Sequence, residues 1–219
     1  MKRIAPLIFT ALLFASCATS PIDKGKCLVG HPKIKSLQNI IETLCGGNGL
    51  DASKIPYCIV QDTDMYAAID LDDCIIVSTG IMTMTYEEVG YRYFIESVVA
   101  HELSHYALNH LAKHNALAIG TSLAFTVANV FVPGIAYADW VVNPVVTKAF
   151  SRSQELDADI NAVKICQNAG ISDADKHVIK ALEYLQMRYP KDGKGGLWST
   201  HPSWDDRIQA IRNAYHRNE

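Results

Sequence analysis

Charge is scarce in this chain of 219 residues: Asp, Glu, Lys and Arg make up 20% of it and the net charge is −3. No basic block or stripe occurs, so nucleic acid is not an expected partner. The 6 cysteines include no CxxC pair, which argues against a structural zinc built from thiolates. No internal repeat or low-complexity stretch divides the chain, and no apolar run reaches the length that readily spans a bilayer. What remains is a chain that is 49% hydrophobic, enough for one sizeable core: a single domain with short extensions.

The first seventeen residues stand apart. Lys2 and Arg3 precede a short apolar run over 4–15, closed by Phe14-Ala15-Ser16-Cys17. This resembles a bacterial lipoprotein signal, with Cys17 as the lipidated first residue of the mature chain, although Phe14 stands where leucine is usual. An ordinary cleaved secretion signal is the alternative; a permanent span is disfavoured by length and by Pro6. In such lipoproteins an aspartate after the cysteine signals inner-membrane retention. Ala18 stands there instead, so the resemblance implies an outer-membrane lipoprotein facing the periplasm. The expected organisation is a signal over 1–17, a polar tether over 18–33 and one main domain over 34–219. Cys27, Cys45, Cys58, Cys74 and Cys166 remain, and an exported protein can pair them. Cys58 and Cys74 lie in neighbouring β-like segments and Cys27 and Cys45 flank a helix-like one, leaving Cys166 as the odd thiol; simple burial of all five is the alternative.

Leu37, Ile40, Ile41 and Leu44 have helical spacing, and the run Cys45-Gly46-Gly47-Asn48-Gly49 breaks it. Three β-like runs at 57–60, 66–69 and 74–78, separated by aspartate-rich turns, predict a small antiparallel sheet. A long helix is expected over 91–109, with Phe94, Ile95, Val98, Val99 and Leu103 on its buried side. Ser151 with Gln154 can form a capping box for the next helix, which Gly170 would end. Ser172 with Asp175, and Ser203 with Asp205 and Asp206, mark two further helix starts. Between them, 116–132 is seventeen residues without a charge and 140–150 is a second apolar segment broken by Asn143-Pro144. A helical hairpin packed on the domain or against a bilayer surface is favoured there over a span. The fold class is therefore α+β and mainly helical.

The chemistry sits at His101-Glu102-Leu103-Ser104-His105. HExxH on a helix puts two imidazoles one turn apart on one face, where both can bind a single zinc ion. Glu102 beside them is placed to take a proton from water at the metal. A catalytic zinc takes three protein ligands and keeps one position open, so a third must come from elsewhere. Glu155 in Ser151-Arg152-Ser153-Gln154-Glu155 is the candidate, because Asp159 follows one turn later and can accept the free N–H of a ligating histidine. Ala158 and Ala162 are small enough to let this helix approach the first. Against this stands the reading of both imidazoles as buried polar groups and of Glu155 as a surface glutamate; burial of such groups together is costly without a metal. His110 and His114 fall off the ligand face of the helix and are expected to be structural.

HELSH followed by Ser-Arg-x-x-Glu-x-x-Ala-Asp resembles the gluzincin metallopeptidases that include the CAAX prenyl proteases, HtpX and the OMA-type mitochondrial proteases. Met65-Tyr66-Ala67-Ala68-Ile69, leading to Ile75 through Met82, is similar to that family's strand pair before the active-site helix. Thr200-His201-Pro202 and Arg207-Ile208 resemble its C-terminal His-Pro and Arg pair, so the likeness covers roughly 56–211. Departures at Ala67, Ala68 and Asn109 bear on substrate preference. The resemblance implies a zincin-like domain with one Zn²⁺ per chain, held by His101, His105 and Glu155. Glu102 is then the general base, and His201 either donates to the oxyanion or caps the metal at rest. Arg207 serves the same region. It further implies a lipid-anchored envelope endopeptidase acting on unfolded or misassembled proteins, bound along the strand at 75–78. The rivals are a metal-silenced, chaperone-like factor associated with outer-membrane assembly machinery, and a closed structural zinc site.

Overall fold

The spacing that predicts the first helix produces α1, Ile34–Gly47, with Leu37, Ile40, Ile41 and Leu44 all buried. In the computed structural model, residues 27–28, 30–70, 72–84, 91–112, 150–190 and 202–216 are described. The expected break comes three residues late, because α1 runs through Cys45, Gly46 and Gly47 before Asn48 caps it. Gly47 is required there: a Cβ would meet the Asn168 carbonyl oxygen at 2.5 Å, where the end of α1 crosses another helix end.

Strands β1 (Tyr57–Val60), β2 (Ala67–Ile69) and β3 (Ile75–Ser78) follow. Their order is β1-β3-β2, with β2 antiparallel and β1 parallel to β3. The expected antiparallel sheet is therefore mixed. The β2–β3 hairpin forms as anticipated: Asp70 Oδ1 accepts from the backbone N–H of Asp72 and Cys74, and Asp73 turns through φ 57°. Residues 61–66, however, carry the chain past one strand position, so β3 inserts between its two predecessors. All four β3 residues are buried, as a central strand demands. It cannot be the edge on which substrate was expected to lie; among the described residues that edge belongs to β2.

Ser78 ends β3 and caps the single-turn helix α2, Thr79–Met82, through its hydroxyl. The long helix α3 is Tyr91–Ala107, followed by α4 (Arg152–Asn168), α5 (Ala174–Arg188) and α6 (Trp204–Tyr215). From Phe94 to His105 almost every α3 side chain is buried, polar ones included, which makes it the central rod of the domain. Its most extensive contact among the described residues is with α4, where Ala158 and Ala162 are fully buried. Ser151 and Gln154 form the expected capping box, Gly170 takes φ 82°, and Ser203 caps α6. The start of α5 differs: its N-cap is Asp173, with φ 50° and no side-chain cap bond.

Cysteine pairing also departs from expectation. Cys27 bonds to Cys58, because the bridge Cys27↔Val60 and the Leu28 N–H donated to the Ile59 carbonyl lay the first segment along β1. Cys58 faces Ile76 rather than Cys74 across the sheet, and Cys45 lies on the inner side of α1 within the main core. Cys45, Cys74 and Cys166 are buried thiols. Burial, with Asp51 nearby, pushes Cys45 up to about 11; burial, with Glu96, pushes Cys166 up to about 12. No described helix is long and apolar enough to cross a membrane. The hairpin expected over 116–150 lies outside the described residues except for Phe150, and the segments 1–17 and 18–26 lie outside them altogether.

Candidate metal centre

Two helices build the site. On α3, His101 and His105 are one turn apart, their ring centroids 4.8 Å from each other and their Nε2 atoms 3.2 Å apart. On α4, the capping box fixes the first turn, with Ser151 Oγ accepting from Gln154 N–H and Gln154 Oε1 accepting from Ser151 N–H. Glu155 thereby enters the interface directly after the cap. Its Oε2 lies 3.6 Å from His101 Nε2 and its Oε1 3.6 Å from His105 Nε2. All three residues are buried.

A second layer stands behind His101. Asp159, one turn beyond Glu155, accepts from His101 Nδ1 at 2.9 Å, as the spacing predicts. Arg207 on α6 donates Nε to Asp159 Oδ2 and Nη2 to Asp159 Oδ1, each at 2.7 Å, in a two-pronged grip. Its guanidinium carbon lies 5.3 Å from the centre of the ring of Trp204, the first residue of α6. Arg207 is thus no surface ion pair: it reaches His101 through Asp159 and comes within 3.9 Å of Glu155. His101, Glu102, Glu155, Asp159 and Arg207 open on one shared cavity. Its other walls are Met65, Tyr66 and Ala67 at the β2 edge, and Val178, Leu182 and Leu185 of α5.

Residues 33–215 match the family described as Peptidase family M48. The chain belongs to that family. Two Escherichia coli (strain K12) proteins are similar to it. Metalloprotease LoiP is 27% identical over 186 residues, covering 82% of this chain and 69% of LoiP. Metalloprotease YcaL is 24% identical over 192 residues, covering 82% of this chain and 68% of YcaL. This M48 chain is accordingly a metalloprotease, and the family implies a metal, usually zinc.

The donor set of the M48 chain fits such an ion. Zinc bonds to N and O of about 2.0–2.2 Å in a tetrahedron give donor–donor edges of about 3.3–3.6 Å. The two imidazole Nε2 atoms are 3.2 Å apart, each has one Glu155 carboxylate oxygen at 3.6 Å (Oε2 for His101, Oε1 for His105), and one donor atom from each residue lies within 4.8 Å of the others. Electrostatics separates the two imidazoles. Burial alone would depress His101, but the hydrogen bond and charge of Asp159, helped by Glu155, outweigh it and hold His101 up at about 10. Burial dominates at His105 and pushes it well below the usual imidazole value. Asp159 is lowered although its own burial works the other way, because Arg207 and His101 favour its charged form.

Six of the expected residues are therefore gathered at one place: His101, Glu102, His105, Glu155, Asp159 and Arg207. His201 and Cys17 lie outside the described residues. His110, set aside in the sequence as off the ligand face, is against the site. Its Nδ1 is 3.0 Å from His105 Nδ1, and the ring is buried. A continuous helix would place it about 140° away from His105, but α3 has ended. Asn109 takes φ 54° and turns the chain back. Asparagine, which tolerates that conformation, was the signal available in the sequence.

Proposed function

We propose that this metalloprotease is a zinc endopeptidase in which His101, His105 and Glu155 hold the ion and Glu102 is the general base. The observation that carries the reading is the convergence of three buried donors at 3.2–3.6 Å beside a buried carboxylate on the same helix turn. When bound, zinc supplies Lewis-acid chemistry: it brings water towards neutral pKa and polarises a peptide carbonyl. Glu102 takes the proton released by the attacking water and hands it to the departing amine. Asp159 keeps the Nδ1 proton of His101 in place, and Arg207 holds Asp159. Extended substrate backbone lies along the β2 edge, which lines the cavity, and needs no particular side chain for that pairing. By likeness to the family, His201 would either donate to the oxyanion or cap the metal at rest.

The same reading sets the enzyme in the bacterial envelope. A lipid on Cys17 anchors it to the outer membrane on the periplasmic side, and unfolded or misassembled envelope proteins are its substrates. The signal-like segment 1–17 supports the anchoring, and the Cys27–Cys58 disulfide supports an oxidising compartment. The quality-control role rests on likeness to the family.

The test uses protein beginning after Cys17. Zinc per chain is measured, and cleavage of casein is compared with that by Glu102→Gln. The substituted protein is expected to retain zinc and lose turnover by at least about 100-fold. Equal cleavage by both would remove Glu102 from its role. Zinc in both with cleavage by neither would favour the silenced, assembly-factor reading instead.

A further inference from the structure

We propose that His110 is a positioning residue of the metal centre: its Nδ1 accepts the Nδ1–H of His105 and so fixes the tautomer in which His105 presents Nε2 to the ion. The proposal rests on the ligand reading above and deepens it.

The direction of that hydrogen bond follows from the ligand geometry. The Nε2 atom of His105 is the one that faces His101 Nε2 and Glu155, at 3.2 and 3.6 Å. A neutral imidazole has one N–H and one lone pair, so ligation through Nε2 places the hydrogen on Nδ1. His105 is fully buried and its Nδ1 lies 3.0 Å from His110 Nδ1. Two N–H groups cannot share that contact, so His110 offers its lone pair and carries its own hydrogen on Nε2.

The fold holds His110 for this contact from two separate segments. The left-handed Asn109 swings it back over the end of α3. From the start of α4, Gln154 Nε2 donates to the His110 carbonyl at 3.1 Å. Phe150, just before the same cap, stacks on the other partner, its ring 3.8 Å from that of His105 and tilted by 15°. One short stretch, Phe150 to Glu155, therefore supplies a metal donor, a ring that flattens His105, and a tether for the residue that sets its tautomer. A histidine serving only as core filling would not need its Nδ1 aimed at the non-ligating nitrogen of a ligand.

The experiment uses protein beginning after Cys17. Zinc affinity is measured by competition with a chromophoric chelator for wild type, His110→Phe and His110→Asn. Ring ¹⁵N–¹H correlation spectra are recorded on the zinc-loaded wild type. Phenylalanine keeps a ring and removes the acceptor, whereas asparagine puts an amide oxygen near the place of Nδ1. His110→Phe is expected to bind zinc about 10–100-fold more weakly, and His110→Asn to recover most of that loss. In the wild type, His105 is expected to be protonated on Nδ1 and His110 on Nε2. A His110→Phe affinity within about twofold of wild type overturns the proposal, as does a hydrogen on His110 Nδ1. If His110→Phe fails to fold, the wild-type spectrum decides alone. A wild type that takes up no zinc, or that keeps it in Glu155→Ala, overturns the ligand reading itself rather than the part given to His110.

Discussion

The two imidazoles of the pentapeptide are supported in opposite ways. His101 leans on charge: Asp159 receives its Nδ1, and Arg207 from a third helix grips Asp159 with two 2.7 Å bonds. His105 leans on neutral groups, with His110 at its Nδ1 and Phe150 flat against its ring. The sequence motif treats the two as equivalent, while the surroundings, without a metal, favour protonation of His101 and oppose it at His105. Local spacing thus delivers the donors, and tertiary neighbours decide their electronic character.

Glu155 is shared by both sides, so its loss should erase the difference most completely. Glu155→Ala is expected to lose zinc on dialysis, read as metal per chain against one for wild type. Next in size is the charged side alone. Asp159→Ala leaves the Arg207 guanidinium buried without its carboxylate, and a loss of about 3–5 kcal/mol in urea unfolding is expected. Zinc affinity should fall about 10–100-fold in the same variant. Retention of both would mean that His101 needs no such support.

A pH series on metal-free protein separates the sides by sign. His101, raised to about 10, stabilises the fold below the usual value of 6.5, and that contribution disappears as pH climbs through about 10. His105, lowered by burial, acts in reverse: stability rises as pH approaches 6.5 from below. A maximum in the urea midpoint near pH 6.5 is expected, and Asp159→Asn should flatten its alkaline limb. The smallest effect belongs to Gln154→Ala, which removes one cap bond and the tether to His110. About 1 kcal/mol of stability should go, measured by thermal unfolding, with the Asp159 side unaffected.

What could be read from the chain divides along the same line. His101, Glu102, His105, Glu155 and Asp159 were legible because one-turn spacing is a local property and the Ser151–Gln154 box marks where α4 must begin. Helices α1, α3 and α6 were legible from periodicity and caps. Strand order was not, since nothing within Ile75–Ser78 states that it will insert between β1 and β2; burial of all four residues becomes evident only in the sheet. The Cys27–Cys58 bond was missed for a similar reason, because it depends on the first segment lying along β1. His110 was missed because a helical wheel was continued past Asn109, where the backbone had already reversed.

If Cys17 carries the proposed lipid, the disulfide at β1 would set how the enzyme hangs. Nine residues lie between Cys17 and Cys27, ten chain steps that reach at most about 36 Å when drawn out. With a lipid at Cys17, any mechanical pull from the membrane arrives at Cys27 and passes through sulfur into the outer strand farthest from β2. On the anchored reading, a bilayer would tug on this protein without plucking the strand that borders its cavity.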